Sequence, residues 1–477
     1  MKVLIIASEA APYAKTGGMG DVTGSLPAAV KKLGADVRVV LPKYRSIKSS
    51  LIENIIRVAD FDVRLSWRTQ RAGVYVKYGE TPVYFIENDY YFGRDMLYGY
   101  PDDNERFAFF CKAAIEMLTF LDFVPDVIHC NDWQTAPVCL LLKKLYDKIL
   151  PFSGIRTLFT IHNLQYQGNF DKSALEFLDV PFSCFENGDL EFYGRLSYIK
   201  AGLIYSDMIS TVSRTYSLEI QTARYGYGMD GILRSRNHKL FGILNGIDYA
   251  LYDPETDGRI YKNYGSEDLT PKKENKALLQ KELGLPVSDV PVISMVSRLA
   301  EQKGFDILAE AMDRLMEQDI QFVILGTGET RYEELFRGFA ERYRDKISVS
   351  IKFDDTLAQK IYAGGDMFLM PSMFEPCGLS QLISLRYGTV PIVRKTGGLA
   401  DTISDFDPET GKGNGFVFED YDAGGLIWGV TQALKVYESG GETWEKVVRN
   451  AMDSDHSWEN SAKEYLKLYK RMMKNPN

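Results

Sequence analysis

The chain has 477 residues, which is too long for one hydrophobic core and suits two domains of roughly 200 residues each. Its net charge of −9 argues against a general binder of nucleic acid or of anionic membranes, since either function needs a basic face. No apolar run approaches the ~20 residues of a membrane span, and the opening MKVLIIASEAAP predicts a strand, not a signal peptide. The five cysteines form no CxxC pair, so we expect reduced thiols and a cytoplasmic protein.

Short apolar runs alternate with amphipathic stretches through the first half of the chain. In chain order, the runs predict strands at residues 2–8, 36–42, 82–88, 126–132, 156–163, 207–213 and 239–246. The stretches 20–33, 104–121 and 196–205 are typical of helices. Near-continuous apolar strands separated by helices indicate a parallel sheet that is covered on both faces.

The alternation stops from about residue 247 to 275, in a polar, turn-rich segment that we interpret as a crossover between domains. Further strands are then predicted at residues 291–299, 320–328, 347–353, 366–372, 389–395 and 415–420. The last amphipathic stretch, 457–473, has no strand after it. We therefore predict an α/β protein with two Rossmann-like, doubly wound domains at residues 1–246 and 247–456, and a C-terminal helix within 457–477 that returns to the N-terminal domain.

The sequence Lys-Thr-Gly-Gly occurs twice, at residues 15–18 and 395–398, each time between a predicted strand and a predicted helix. Glycines at such a place let backbone N–H groups approach an anion, and the lysines add positive charge. Two ordinary tight turns would have the same residues. The functional interpretation is that each copy contacts a phosphate from its own side of a cleft, and the equivalent places of the copies on the two domains favour it. Both interpretations stay open.

Two loops of the C-terminal domain carry charged groups at predicted strand ends. In VSRLAEQKGFD (296–306), Arg298 and Lys303 are suited to a diphosphate, although basic residues in such loops are often only solvated. In PSMFEPCGLSQL (371–382), Glu375 can accept hydrogen bonds from sugar hydroxyls, or it can cap the helix that follows.

Two loops of the N-terminal domain carry polar groups at predicted strand ends. TIHNLQYQG (160–168) contains His162 and Asn163, and IHCNDWQ (128–134) contains Asp132; purely structural roles are equally open on this chemistry. The histidines and cysteines do not have zinc spacing, and the sequence contains no GxSxG motif.

Taken in order, KTGGMGDV, HNLQYQG, VSRLAEQKG, PSMFEPCGLSQL and RKTGGLADT resemble the motifs of the bacterial glycogen synthases and plant starch synthases. The resemblance covers essentially the whole chain. It implies a GT-B fold, in which two Rossmann-like domains face a deep cleft. It also implies a retaining glucosyltransferase that moves glucose from ADP-glucose to the non-reducing end of an α-1,4-glucan and so elongates glycogen.

The resemblance also implies roles for particular residues. The catalytic group would be Glu375, His162, Arg298 and Lys303. The sugar donor, ADP-glucose, would be bound by Lys15, Gly17, Gly18, Asp21, Asn245, Phe353, Cys377, Gly378, Leu379 and Ser380, with Phe353 against the adenine. Asp132 and Asn163 would lie on the acceptor side. No metal cofactor is expected, because the cationic side chains would neutralise the diphosphate.

Several alternatives remain open from sequence. Retention of configuration can come from front-face attack, which we favour, or from a covalent intermediate on Glu375. Another retaining GT-B transferase or a sugar-nucleotide epimerase is the nearest rival, and a non-catalytic glucan-binding protein is a further one. An NAD-dependent oxidoreductase is disfavoured because the first strand–helix loop lacks GxGxxG. Preference for ADP over UDP and the oligomeric state are not predicted.

Overall fold

A computed structural model describes residues 1–474. Contacts divide the chain into two units, each with its own sheet. Unit 1 is Met1–Asn245 together with the stretch from Trp458 onward, and unit 2 is Gly246–Ser457. Both sheets are mainly parallel and flanked by helices, so the predicted α/β class with two doubly wound domains is confirmed. Within residues 1–474, no helix is both long and apolar enough to span a membrane.

The strands of unit 1 are β1 (Lys2–Ile6), β2 (Asp36–Pro42), β3 (Ile56–Leu65), β4 (Arg68–Lys77), β5 (Val83–Glu87), β6 (Val127–Asn131), β7 (Arg156–Ile161), β8 (Asn169–Phe170), β9 (Glu191–Phe192), β10 (Arg195–Ser197), β11 (Met208–Thr211) and β12 (Leu240–Gly242). Nine of them form one sheet in the order β12-β11-β7-β6-β1-β2-β5-β4-β3. All its pairings are parallel except those of β4 with its two neighbours. A separate small antiparallel sheet has the order β8-β10-β9.

The helices of unit 1 that precede the crossover are α1 (Gly18–Lys32), α2 (Asp89–Phe92), α3 (Asp103–Glu116), α4 (Pro137–Lys144), α5 (Leu175–Leu178), α6 (Ser183–Glu186), α7 (Tyr198–Tyr205), α8 (Arg214–Glu219) and α9 (Asp230–Ser235). Each of the seven strands predicted for this half is present. The hairpin β3–β4 was not predicted, because exposed and partly buried residues alternate along β3 and it lacks a continuous apolar run.

The strands of unit 2 are β13 (Val292–Val296), β14 (Gln321–Leu325), β15 (Ile347–Ser350), β16 (Met367–Met370), β17 (Val390–Arg394) and β18 (Phe416–Phe418). Its helices are α10 (Thr270–Glu282), α11 (Phe305–Leu315), α12 (Thr330–Arg342), α13 (Asp355–Gly364), α14 (Ser380–Arg386), α15 (Gly397–Thr402), α16 (Ala423–Glu438) and α17 (Gly441–Met452). The strand order β15-β14-β13-β16-β17-β18 is that of a Rossmann sheet, and all its pairings are parallel.

The last helix, α18 (Trp458–Lys474), belongs to unit 1, where it packs on α1 and β7. Tyr469 of this helix lies with its hydroxyl 2.8 Å from Nδ1 of the buried His129 in β6. The helix thus completes the core of a unit whose other residues lie more than 200 positions earlier in the chain.

Among the parallel strands of the main sheets, strand order reverses between β1 and β6 in unit 1 and between β13 and β16 in unit 2. Ligands of open parallel sheets bind outside the carboxyl ends of the strands at such points. The loops after these four strands contain Lys15, Asp132, Arg298 with Lys303, and Glu375, which are the positions that the sequence had singled out.

Candidate functional site

In unit 2, the loops after β13 and β16 meet through an ion pair. The Nζ atom of Lys303 lies 2.5 Å from Oε2 of Glu375, and the hydroxyl of Ser372 donates to the same oxygen at 3.2 Å. The Glu375 side chain is 6% exposed and that of Lys303 is 17% exposed. Helix α14, which follows Glu375, has no side-chain cap, so Glu375 does not serve it as one. The carboxylate is held at the strand end instead.

Arg298 lies on the same edge but is exposed. Its guanidinium contacts Gln302 at 3.4 Å, and no carboxylate of residues 1–474 lies within 4.0 Å of it. Gln302 in turn fixes the neighbouring loop, because its carbonyl accepts from Met373 N–H at 2.9 Å. The site therefore combines a cation that already has a carboxylate partner with one that has none, an arrangement that can accept a doubly charged anion.

The second Lys-Thr-Gly-Gly sequence packs directly behind Glu375. Gly397 has φ +44°, and a Cβ atom there would lie 1.9 Å from the carbonyl oxygen of Glu375. A Cβ atom on Gly398 would lie 2.1 Å from the carbonyl oxygen of Cys377. Both glycines are buried, and Lys395 pairs with Glu419 at 2.6 Å on the surface. These glycines are required for close packing of the Glu375 loop.

The remaining predicted residues of unit 2 lie along the same sheet edge. Cys377 is buried, Gly378 has φ +75°, and Leu379 and Ser380 lead into α14. Phe353 follows β15, two strands from β13, and its side chain is 84% exposed. An exposed aromatic ring at this edge can stack on a planar base.

In unit 1, the first Lys-Thr-Gly-Gly sequence leads into α1, which begins at Gly18, and its glycines are exposed. Lys15 pairs with Asp21 at 2.7 Å. The buried carboxylate of Glu9 accepts from Thr16 N–H at 2.5 Å, from the Thr16 hydroxyl at 2.7 Å and from Gly17 N–H at 3.3 Å. The Gly17 N–H group, which was expected to face a ligand, is thus occupied by this carboxylate. A Cβ atom on Gly17 would meet nothing within 4 Å, so packing does not require this glycine.

His162 follows β7 and is buried beside Asn131. Its Nε2 atom lies 2.9 Å from Asn131 Oδ1, while the Asn131 amide donates to the carbonyls of Ile6 and His129. Nε2 therefore carries the proton, which leaves Nδ1 as an acceptor. Burial lowers the pKa of His162 to about 3, so the ring is neutral.

Asp132 follows β6 with φ +56°, and its carboxylate accepts from the backbone N–H of His162 at 2.7 Å. Burial raises the pKa of Asp132 to about 7, against the opposing effect of hydrogen bonds from the backbones of His162 and Asn163. The structure thus brings Asp132, His162 and Asn163 together. The Asn163 side chain accepts from Gln165 N–H at 3.0 Å, which fixes the turn after β7.

Asn245 is 5% exposed, and its Oδ1 atom has no hydrogen-bond partner in the described part of the chain.

Glu9 and Asn131 were not identified from the sequence. Both lie at or just after the end of an apolar strand, and that position was the signal that could have identified them. Within residues 1–474, His, Cys, Asp and Glu side chains do not gather in groups of three or more that could hold a metal ion.

Comparison with known families agrees with this architecture. Residues 2–235 match the family described as starch synthase catalytic domain, and residues 279–452 match glycosyl transferases group 1. Among solved structures, the catalytic domain of starch synthase IV from Arabidopsis thaliana, bound to ADP and acarbose, superposes with a TM-score of 0.93 at 35% identity and 99% coverage of both chains. A sucrose-phosphate synthase from Thermosynechococcus elongatus shares the fold at 17% identity, with a TM-score of 0.63 and 99% of each chain covered.

Similarity to curated proteins extends over the whole length. The chain is 50% identical to a glycogen synthase of Desulforudis audaxviator, covering 99% of this chain and 97% of that protein. It is 48% identical to a glycogen synthase of Clostridium kluyveri, covering 99% and 100%. With two Rossmann-like sheets and this similarity along its length, the chain belongs to the glycogen synthase family of GT-B glycosyltransferases.

Proposed function

We propose that this member of the family is a retaining glucosyltransferase that elongates glycogen from ADP-glucose. The observation that carries the proposal is the ion pair of Lys303 with the buried Glu375, together with Arg298 on the same loop as Lys303, at the strand-order reversal of unit 2. The ADP bound to the solved starch synthase supports an adenine nucleotide as the leaving group. The N-terminal domain, taken as residues 1–246, binds the glucan acceptor, residues 247–456 bind the nucleotide sugar, and the segment 457–477 returns to the N-terminal domain.

The leaving group sets the electrostatic requirement of the reaction. As ADP departs from the anomeric carbon, negative charge builds on its distal phosphate and positive charge on the sugar ring. Arg298 and Lys303 stabilise the phosphate, and one well-placed group of this kind contributes ~3–4 kcal/mol in other enzymes. Phe353 stacks on the adenine, and Ser380 contacts the ribose or a phosphate. The site works without a metal, because these cations take over charge neutralisation.

Glu375 orients the transferred glucose and offsets positive charge on its ring. Its carboxylate is already hydrogen-bonded to Lys303 and Ser372, and these bonds lower its nucleophilicity. This favours front-face attack, in which the leaving phosphate accepts the proton of the acceptor hydroxyl, over a covalent intermediate on Glu375.

His162 supplies a neutral acceptor to a hydroxyl of the transferred sugar. Its Nδ1 atom is free of the proton because Nε2–H is held by Asn131, and burial keeps the ring uncharged. A neutral ring does not repel the positive charge that develops on the sugar. Asp132 and Asn163 shape this loop on the acceptor side, and Lys15 binds a phosphate of the sugar donor.

The test is a transfer assay with ADP-glucose or UDP-glucose, each with and without glycogen, following release of nucleoside diphosphate and incorporation of glucose into polymer. The expected result is glycogen-dependent incorporation that is faster with ADP-glucose. Diphosphate release without incorporation would contradict glucan elongation and favour another GT-B transferase or an epimerase. If neither sugar nucleotide were turned over, the result would contradict the proposal that the protein is an enzyme.

A further inference from the structure

A cavity of about 760 Å³ opens on unit 1, at the amino ends of β7, β11 and β12. Arg156 begins β7, Asp207 precedes β11, and Lys239 precedes β12. Because β7 is six residues long, about 17 Å of strand separates this edge from the carboxyl end where His162 follows. The cavity is therefore distinct from the candidate active site and lies at the opposite edge of the sheet.

The lining of the cavity is strongly basic. Its lysine, arginine and carboxylate residues are Lys143, Lys144, Arg156, Arg236, Lys239, Arg471 and Asp207. Six cationic side chains thus face a single carboxylate, in a chain whose net charge is −9. Such a concentration of one sign in a concave surface attracts anions.

The single carboxylate does not neutralise these cations. Lys143 and Arg156 both lie 3.2 Å from the same oxygen of Asp207. Among the described residues, no carboxylate lies within 4.0 Å of the other four cations, which are Lys144, Arg236, Lys239 and Arg471. Burial, and then the charge of Arg236, lowers the pKa of Lys239 to about 8. An anion would relieve this repulsion.

Two buried polar atoms of the lining also lack a partner. The Nε atom of Arg236 and the hydroxyl of Ser206 have no hydrogen-bond partner within residues 1–474. Ser206 is only 3% exposed. Leaving such groups without partners is unfavourable, and both residues line the cavity.

Helix ends explain only part of this cluster. Lys143 and Lys144 lie in the last turn of α4, and Lys239 donates to the carbonyl of Ser206 at 2.6 Å, just after α7. Cations are favoured at helix C-termini. That argument does not account for Arg156, Arg236 and Arg471, nor for the cavity between them.

The dimensions of the cavity indicate the class of ligand. Small-molecule sites in proteins enclose ~300–1,000 Å³, and this cavity falls within that range. Its lining also includes Tyr205, Met208 and Met472, which offer apolar surface beside the cations. We propose that this cavity binds a small organic phosphate, with its phosphoryl oxygens on Arg236, Lys239 and Arg471 and its organic part against the apolar lining.

The ligand would also connect separate parts of unit 1. Arg471 and Met472 belong to α18, whereas Arg236 and Lys239 follow α9. A phosphate held by both groups fixes the C-terminal helix to the segment around residues 235–239. Occupancy of the cavity therefore stabilises the folded form of unit 1.

The proposal is tested by calorimetric titration of the full chain with ribose 5-phosphate and with inorganic phosphate, using ribose as the uncharged control and sodium chloride to hold ionic strength constant. Ribose 5-phosphate is expected to bind more tightly than inorganic phosphate, and ribose not to bind. The double substitution Arg236→Gln with Lys239→Gln should raise Kd at least ~10-fold, since each removes a charged hydrogen-bond donor. Arg471→Gln should weaken binding separately and is the second variant if the double one does not fold.

Two matched variants locate the site. Lys470→Gln removes an exposed charge next to Arg471 on α18, and Lys303→Gln removes a charge from the candidate active site. Both should leave Kd within about twofold of the parent value, because neither residue lines the cavity. Unchanged binding in the cavity variants, loss of binding in Lys303→Gln, or no binding of either phosphate would each overturn the proposal.

Discussion

The side chain of Lys303 forms an ion pair with the buried carboxylate of Glu375, with Nζ and Oε2 2.5 Å apart. The lysine comes from the loop after β13 and the glutamate from the loop after β16, so the pair joins the two sides of the strand-order reversal. A diphosphate bound beside Lys303 would place this cation between two anions. Substitution of Lys303 and substitution of Glu375 are therefore expected to have different effects on ADP affinity and on turnover.

Glu375→Ala should lower turnover at least ~100-fold while affinity for ADP is kept or increased, because the substitution removes a contact to the reacting sugar and releases Lys303. Turnover is measured with saturating ADP-glucose, and ADP affinity by titration. Glu419→Ala, which removes the exposed partner of Lys395, is the matched control and should leave both quantities unchanged. Near-normal turnover of Glu375→Ala would remove this residue from the site.

Lys303→Ala should weaken ADP binding and slow transfer together, because the lysine contacts the diphosphate in both the ground state and the transition state. The comparison is with Lys395→Ala, whose lysine lies in an exposed ion pair of similar length. Apparent affinity for ADP is the deciding measurement. An affinity equal to that of the parent protein would contradict a diphosphate role for Lys303.

The two Lys-Thr-Gly-Gly sequences should respond differently to alanine. Gly398→Ala would place Cβ 2.1 Å from the Cys377 carbonyl, so we expect a loss of ~1–3 kcal/mol in stability and a displaced Glu375 loop. Gly17→Ala has open space and should leave the thermal unfolding midpoint unchanged. Lowered activity of Gly17→Ala at normal stability would indicate close approach of a ligand there, whereas normal activity would argue against it.

Asp132 should make stability depend on pH. Its pKa is raised to about 7 in the folded protein, against ~3.9 in the unfolded chain, so its contribution is full below about pH 4 and is lost as pH rises through about 7. The Asp132→Asn variant has no carboxyl group at this position and therefore does not lose this stability as pH rises. Its unfolding midpoint relative to the parent should therefore rise between pH 4 and pH 7, by an amount equivalent to at least ~1 kcal/mol.

The exposed Asp268 is the control for this pH profile. Hydrogen bonds from the backbone and side chain of Thr270 lower the pKa of Asp268, so its contribution is present at neutral pH and lost in acid. The unfolding midpoint of Asp268→Asn relative to the parent should therefore fall as pH rises from acid to neutral, which is the opposite of the change expected for Asp132→Asn. Parallel profiles of Asp132→Asn and the parent protein would contradict a protonated Asp132.

Chelation provides a test of how the diphosphate is neutralised. If Arg298 and Lys303 do this, transfer from ADP-glucose should persist after dialysis against EDTA. Activity is measured before and after chelation, and again after magnesium is added. Loss of activity that magnesium restores would overturn the metal-independent proposal.

The fold was predictable from local sequence because its parallel strands are buried on both faces. The segments that became β13 and β16 are near-continuous apolar runs, and the residues that follow them reach the same sheet edge. The hairpin β3–β4 escaped prediction because an antiparallel strand with one wetted face carries charges such as Asp60 and Arg64 along its length.

The partners of the site residues were not predictable in the same way. The contact between His162 and Asn131 depends on the pairing of β6 with β7. The hydrogen bond between Glu9 and Tyr98 joins residues that are 89 positions apart in the chain. The sequence pattern indicates which side chains lie at strand ends. It does not indicate which buried polar groups then satisfy one another, since that depends on strand order and register.

The discontinuity of unit 1 has a consequence for biosynthesis. A ribosome releases Met1–Asn245 first, but His129 has its Tyr469 partner only after α18 has emerged. Unit 2, which is continuous from Gly246 to Ser457, leaves the ribosome in full while unit 1 still lacks a helix. Since domains generally fold as units during synthesis, the nascent chain is expected to complete its second domain before its first.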